Sequence, residues 1–75
     1  MPKLPSIKIK ELIKILESIG FARWRQKGSH LSLYREGDNR ILTLPVHFGK
    51  DVPTGTLRVI ISQSGLTVEE FLKLR

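Results

Sequence analysis

The chain of 75 residues contains no cysteine, which excludes disulfide staples, thiolate zinc sites and a cysteine nucleophile. Its two histidines, His30 and His47, do not by themselves make a closed metal site. Proline and glycine are sparse, at four and six residues beside 40% apolar side chains, the composition of a folded globule rather than a disordered chain. Long apolar runs are also missing. The longest aliphatic stretch is Val59-Ile60-Ile61, and the first residues alternate lysine with isoleucine around Pro2 and Pro5. No membrane span or targeting segment is expected, and a cytoplasmic setting is. Carboxylates are few as well: seven positions, mostly on expected helix surfaces and turn tips, with no pair placed as a general acid/base dyad or metal cluster. No cofactor or metal is called for.

What remains is small, basic and able to build one modest core. A chain this short supports a single domain, residues 1–75, because the buried fraction of surface falls with size. Thirteen lysines and arginines against seven acidic residues give a net charge of +6 and a pI near 10.2. On so small a body this field attracts polyanions, so nucleic acid is the first partner to consider. The competing view is that many small soluble proteins are basic for no specific reason.

Apolar spacing predicts a helix over residues 9–19, where Ile9, Leu12, Ile13, Leu16 and Ile19 share one face. Gly20 supplies its left-handed C-cap, and Ser6 offers a start one turn earlier. Three strands are expected at residues 21–26, 29–35 and 40–44, separated by Lys27-Gly28 and Glu36-Gly37-Asp38-Asn39. Such short separators join only antiparallel neighbours, with Gly28 and Gly37 supplying positive φ and Pro45 stopping the third strand. After a loop over residues 46–52, Leu57, Ile60 and Ile61 mark a second helix, with Arg58 pointing away and Gly65 as its stop. Thr67 and Glu70 form a capping box, with Leu66 set to staple against Phe71, for a short third helix over residues 68–74. The expected class is α+β in the order α-β-β-β-α-α, a three-stranded antiparallel sheet with helices on one face.

In the second strand Leu31 and Leu33 alternate with His30, Ser32 and Tyr34, so burying the leucines turns His30 outward. Arg23, Arg25 and Lys27 on the adjoining strand give that imidazole a cationic neighbourhood suited to phosphate. Histidine is also the residue type that exchanges protons near neutral pH, although an exposed strand histidine is often just a polar surface residue. His47 follows Pro45 in a loop, where it either approaches the same face or simply ornaments a turn. The start of the second helix around Pro53-Thr54-Gly55-Thr56, with Lys50 and Arg58 nearby, reads as a phosphate cradle or equally as ordinary capping by Asp51 or Thr54. Trp24, Phe21, Phe48 and Phe71 read as core, with Trp24 and Tyr34 kept as secondary candidates for stacking a base.

Five pieces occur here in order: Gly20-Phe21, Arg25-Gln26-Lys27-Gly28-Ser29-His30, Leu44-Pro45-Val46-His47, Gly55-Thr56-Leu57-Arg58 and Gly65-Leu66. In order and spacing the chain resembles the HicA toxins, also called YcfA-like proteins, from about Leu4 to its end. It differs in having Ile9 where a small helix-start residue is frequent, and a single histidine after Gly-Ser where several members have more. The resemblance implies a double-stranded-RNA-binding-domain-like α-β-β-β-α fold with a short extra C-terminal helix. It further implies the toxin of a type II toxin–antitoxin pair, an endoribonuclease that cleaves mRNA without a metal and stops translation, and a HicB-type antitoxin as partner. The family's functional histidine falls on His30. RNA-binding candidates are then Arg23, Arg25, Lys27, Ser29, Lys50 and Arg58, with His47 and Tyr34 as assisting groups.

Attack of a ribose 2′-OH on the adjacent phosphate, with His30 moving the proton and Lys27 and Arg25 stabilising developing charge, is the expected chemistry. Two rivals share the same bulk properties. A non-catalytic RNA-binding module would use the basic face without cutting. A small DNA-binding regulator would present the second helix to a groove, but only Arg58 and Gln63 are placed there as base readers.

Overall fold

The computed structural model describes residues 3–47 and 49–75, and Phe48, expected in the core, lies outside them. The chain runs α1 (Ile9–Ser18), β1 (Ala22–Lys27), β2 (His30–Arg35), β3 (Arg40–Pro45), α2 (Thr54–Gln63) and α3 (Val68–Lys73). This is the expected α+β order, and the strands form one open antiparallel sheet in the order β1-β2-β3.

Each element follows from its pattern. α1 buries Ile9, Leu12, Ile13 and Leu16 as its spacing requires, and adds Ile15 on the flank that faces Leu74 and Arg75. It starts from Lys8 with no side-chain cap, so Ser6 does not begin it a turn earlier. Gly20 and Gly65, at φ 100° and 87°, end α1 and α2 in the left-handed region that favours glycine. At α3 the capping box is complete: Thr67 accepts from the Glu70 N–H, and the Glu70 carboxylate accepts from the Thr67 N–H at 2.9 Å. That bond from the Thr67 backbone holds the Glu70 carboxyl below its ordinary pKa.

Burial alternates along β2 as expected, with Leu31 and Leu33 inside, and along β3 with Leu42 and Leu44. These leucines meet the inward faces of α1 and α2 and the fully buried Phe71 of α3 in one cluster. Pro45 is the last residue of β3 rather than the residue beyond it, since its place opposite His30 needs no N–H.

Two further expectations are overturned, in β1 and in the β2–β3 turn. Trp24 is not core but 54% exposed, because β1 carries a bulge between Arg23 and Arg25. Counting back from the turn, strict alternation would put Trp24 on the side of Leu31 and Leu33; the extra residue returns it to the outer face. In the β2–β3 turn the positive φ belongs to Asn39, at 55°, and not to Gly37. Asparagine tolerates this conformation, and its Oδ1 there accepts the Tyr34 hydroxyl at 2.6 Å.

The helices are fastened to the sheet by two arginines of inward parity. Arg35 donates Nε to Asp38 Oδ1 at 2.9 Å and Nη2 to Oδ2 at 2.7 Å. The same guanidinium reaches the carbonyls of Ile19 at 3.2 Å and Ser64 at 3.0 Å, the C-caps of α1 and α2, and lies 4.5 Å over the Phe21 ring. Arg40, paired with Arg35, donates to Asp38 Oδ2 at 2.6 Å and to the Gln63 carbonyl at 2.8 Å.

The Arg35 hydrogen bonds hold the Asp38 carboxyl far below the usual carboxylate range. A carboxyl depressed by folding stabilises the fold above its unfolded pKa, and that stability is lost as the pH falls towards the folded value. Thermal melts should therefore show Tm falling below about pH 4, with Asp38→Asn lowering Tm at neutral pH and flattening the acid limb. An Asp38→Asn variant that melts like the wild type at pH 7 would remove this role from the turn.

Candidate nucleic-acid interface

Helices cover one face of the sheet, and the other stays open. Side chains of directly paired residues share a face, so the register assigns this outer face. Lys27 lies opposite His30, Arg25 opposite Ser32, and Ala22 opposite Tyr34, with Thr43 and Ile41 completing the rows on β3. His30 is exposed, one residue beyond the turn, as the leucine alternation predicts.

That turn is Gly28-Ser29, shifted by one from the expected Lys27-Gly28. Gly28 has φ 60° as the first of two central residues, the position that a type II′ hairpin turn reserves for glycine. Val46 N–H then donates to the Ser29 carbonyl at 2.7 Å, so the ladder continues into the loop after β3. This brings His47 to the same end of the sheet, where it shares a small cavity of about 20 Å³ with Pro45, Lys50 and Pro53.

The candidates of the sequence reading therefore separate into groups. His30, Lys27 and Arg25 share the outer face, and Ser29, His47 and Lys50 adjoin its turn end. Tyr34 lies on the same face at the far end of β2, its hydroxyl tied to Asn39. Arg23 falls on the helix-side parity opposite Leu33, since the bulge that turns Trp24 outward displaces it. Arg58 is exposed beside the cleft between α2 and α3, with Gly65, Leu66 and Val68, and is not among the groups gathered at His30. At the start of α2 the N-cap is Pro53 with no side-chain cap hydrogen bond, so neither Asp51 nor Thr54 caps it. Asp51 instead pairs with Lys8 at 3.0 Å, where Val52 N–H also donates to the Ile7 carbonyl at 2.8 Å.

Sequence reasoning missed the Arg35–Asp38–Arg40 cluster. Its signal was present: Arg35 continues the inward series of Leu31 and Leu33, an odd place for a cation without partners. Among the described residues no group of three or more His, Cys, Asp or Glu is placed to hold a metal ion, and no helix is long and apolar enough to cross a membrane. A groove of about 400 Å³ between β3 and α2, lined by Ile41, Thr43, Thr56, Val59, Ile60 and Gln63, carries no titratable side chain.

Fold and site together define a small basic α+β domain whose uncovered sheet face carries a histidine opposite a lysine. The family model described as HicA toxin of bacterial toxin-antitoxin matches residues 9–66, and the chain belongs to that family. The match spans α1 to the end of α2 and leaves α3 beyond it. No curated protein matches the chain. Membership of a toxin–antitoxin family implies an antitoxin as partner.

The two turn glycines differ in what they tolerate. A Cβ at either meets open space, but only Gly28 has the left-handed backbone. Gly28→Ala should cost about 1–2 kcal/mol, whereas Gly37→Ala should be neutral or stabilise by up to about 1 kcal/mol. Urea denaturation of the two variants checks this, and equal effects would contradict the assigned turn geometries.

Proposed function

We propose that this protein is a toxin that cleaves mRNA as a metal-independent endoribonuclease in the cytoplasm, with His30 as its catalytic residue. The observation that carries the reading is the pairing of His30 with Lys27 on the open sheet face, within a chain of the HicA toxin family. A phosphate resting between them meets a proton-transfer group and a fixed cation together, with Arg25 one row further along the same face.

In the reaction the ribose 2′-oxygen attacks the adjacent phosphorus. The O2′–P bond forms as the P–O5′ bond breaks, leaving a cyclic phosphate and a 5′-hydroxyl. His30 takes the proton from the 2′-OH or delivers one to the departing oxygen, and Lys27 and Arg25 stabilise the added negative charge. His47, Tyr34 or water completes the second transfer; of these, His47 belongs to the loop at the His30 end of the sheet. Ser29 and Lys50 border the same end and are assigned to holding the RNA backbone. A HicB-type antitoxin with an acidic surface would neutralise the toxin by covering this face, helped by Coulomb steering towards a +6 protein.

The test incubates purified protein with mixed-sequence RNA in EDTA. Wild type should cut, His30→Ala should lose about 100-fold or more of the rate, and deoxyribose at the cleavage position should block it. Binding by both proteins with cutting by neither would instead establish a non-catalytic RNA-binding module.

A further inference from the structure

Trp24 is the only tryptophan in the chain, and it stands on a strand with no buried residue. At 54% exposure it is a large apolar surface left in water on the sheet face that carries the proposed site. It is also built into a small assembly. The Arg25 guanidinium lies 4.8 Å from its ring centroid, and the Tyr34 ring lies 6.3 Å away, tilted by 49°. Tyr34 is anchored in turn by its 2.6 Å bond to Asn39. The ring thus has one aromatic neighbour at its side, a guanidinium against it, and more than half of the residue open to solvent.

We propose that Trp24, with Arg25, is a stacking platform for one unpaired base of single-stranded RNA whose backbone passes His30 and Lys27. This rests on the ribonuclease reading and adds the substrate class: an RNA that is single-stranded at the nucleotide engaged. Three features carry it. Indole and guanidinium planes are the surfaces on which bases stack, whatever the base. The outer rows of the sheet hold Arg25, Lys27 and His30 and no carboxylate, which complements a phosphate backbone. Arg25 pairs with Ser32, two residues along β2 from His30 and hence ~7 Å away along the strand. Trp24, the bulged residue, lies beyond that row towards Tyr34 and hence ~7–13 Å from His30 along the strand, a span of about one or two nucleotides, so a phosphate at His30 leaves a nearby base of the same strand at Trp24. In a duplex every internal base is paired and stacked on both faces within its own helix, so none of these is available to the ring.

The lone tryptophan makes its own fluorescence the probe. Wild type, His30→Ala, Trp24→Ala and Trp24→Phe are titrated with a short, end-labelled 2′-O-methyl RNA strand, which cannot undergo 2′-OH attack, and with the same strand in a blunt duplex. The single strand should quench Trp24 in the wild type and in His30→Ala, and the duplex should not at equal concentration. By anisotropy, Trp24→Ala should bind the strand about 5- to 150-fold more weakly, with Trp24→Phe retaining most of the affinity. Equal binding by Trp24→Ala and wild type, or equal quenching by strand and duplex, overturns the platform. So does a Trp24→Ala protein that keeps its RNA affinity but no longer binds its antitoxin, which would make the ring a protein contact. Quenching and tight strand binding by a wild type that cuts no unmodified RNA would support the platform while removing the ribonuclease reading.

Discussion

One guanidinium decides where the helices lie. Arg35 ends the middle strand and bonds the C-cap carbonyls of both α1 and α2 as well as the Asp38 carboxylate in the turn that follows. Helix C-termini leave carbonyls without intrahelical donors and carry partial negative charge, so a cation held there satisfies hydrogen bonding and dipole together. Its cross-strand neighbour Arg40 would repel it as a like charge on the same face. Asp38, accepting from both, and the Gln63 carbonyl at the end of α2 remove that conflict. The sheet thereby fixes both helices from its inward side, and the core leucines of β2 and β3 close against them.

The uncovered face follows from this one-sided arrangement. A three-stranded sheet in a chain of 75 residues has apolar material for a single layer of core, and the helices gather most of it on one side. Outward positions on β1 and β2 are then free of packing demands and hold Arg25, Lys27, His30 and Ser32. The Gly28 turn sets the last register element by placing Lys27 directly across from His30. Packing thus determines which face is open, and the hairpin determines which two side chains stand together on it.

What was legible in the sequence was what a single element encodes alone. The β2 alternation placed His30, the apolar spacing placed α1 and α2, and Thr67 with Glu70 announced α3. What was not legible depends on a partner element. The bulge is a mismatch between two strands, invisible in β1 itself, and it moved both Trp24 and Arg23 from their expected sides. Gly37 drew the positive φ by composition, yet in the four-residue turn it was Asn39 that took it, with the Tyr34 hydroxyl on its side chain. Asp51 read as a cap and is claimed by Lys8, from a segment more than forty residues away in sequence. The chemistry assigned to His30 came from family resemblance, since an exposed histidine beside basic residues has no unique meaning.

The bulge links protection and function in one residue. β1 is a sheet edge, and an unpaired edge invites another strand unless charge or irregularity prevents it. Arg23, Arg25 and Lys27 supply charge, and the bulge breaks the flat run that a second strand would need. With the turn held constant, a regular β1 would direct Trp24 toward the helix side and Arg23 toward the outer face, which would then carry three cations and no indole. The extra residue exchanges the two. The edge is left irregular, and the face beside His30 gains an aromatic surface next to Arg25 in place of a third charge.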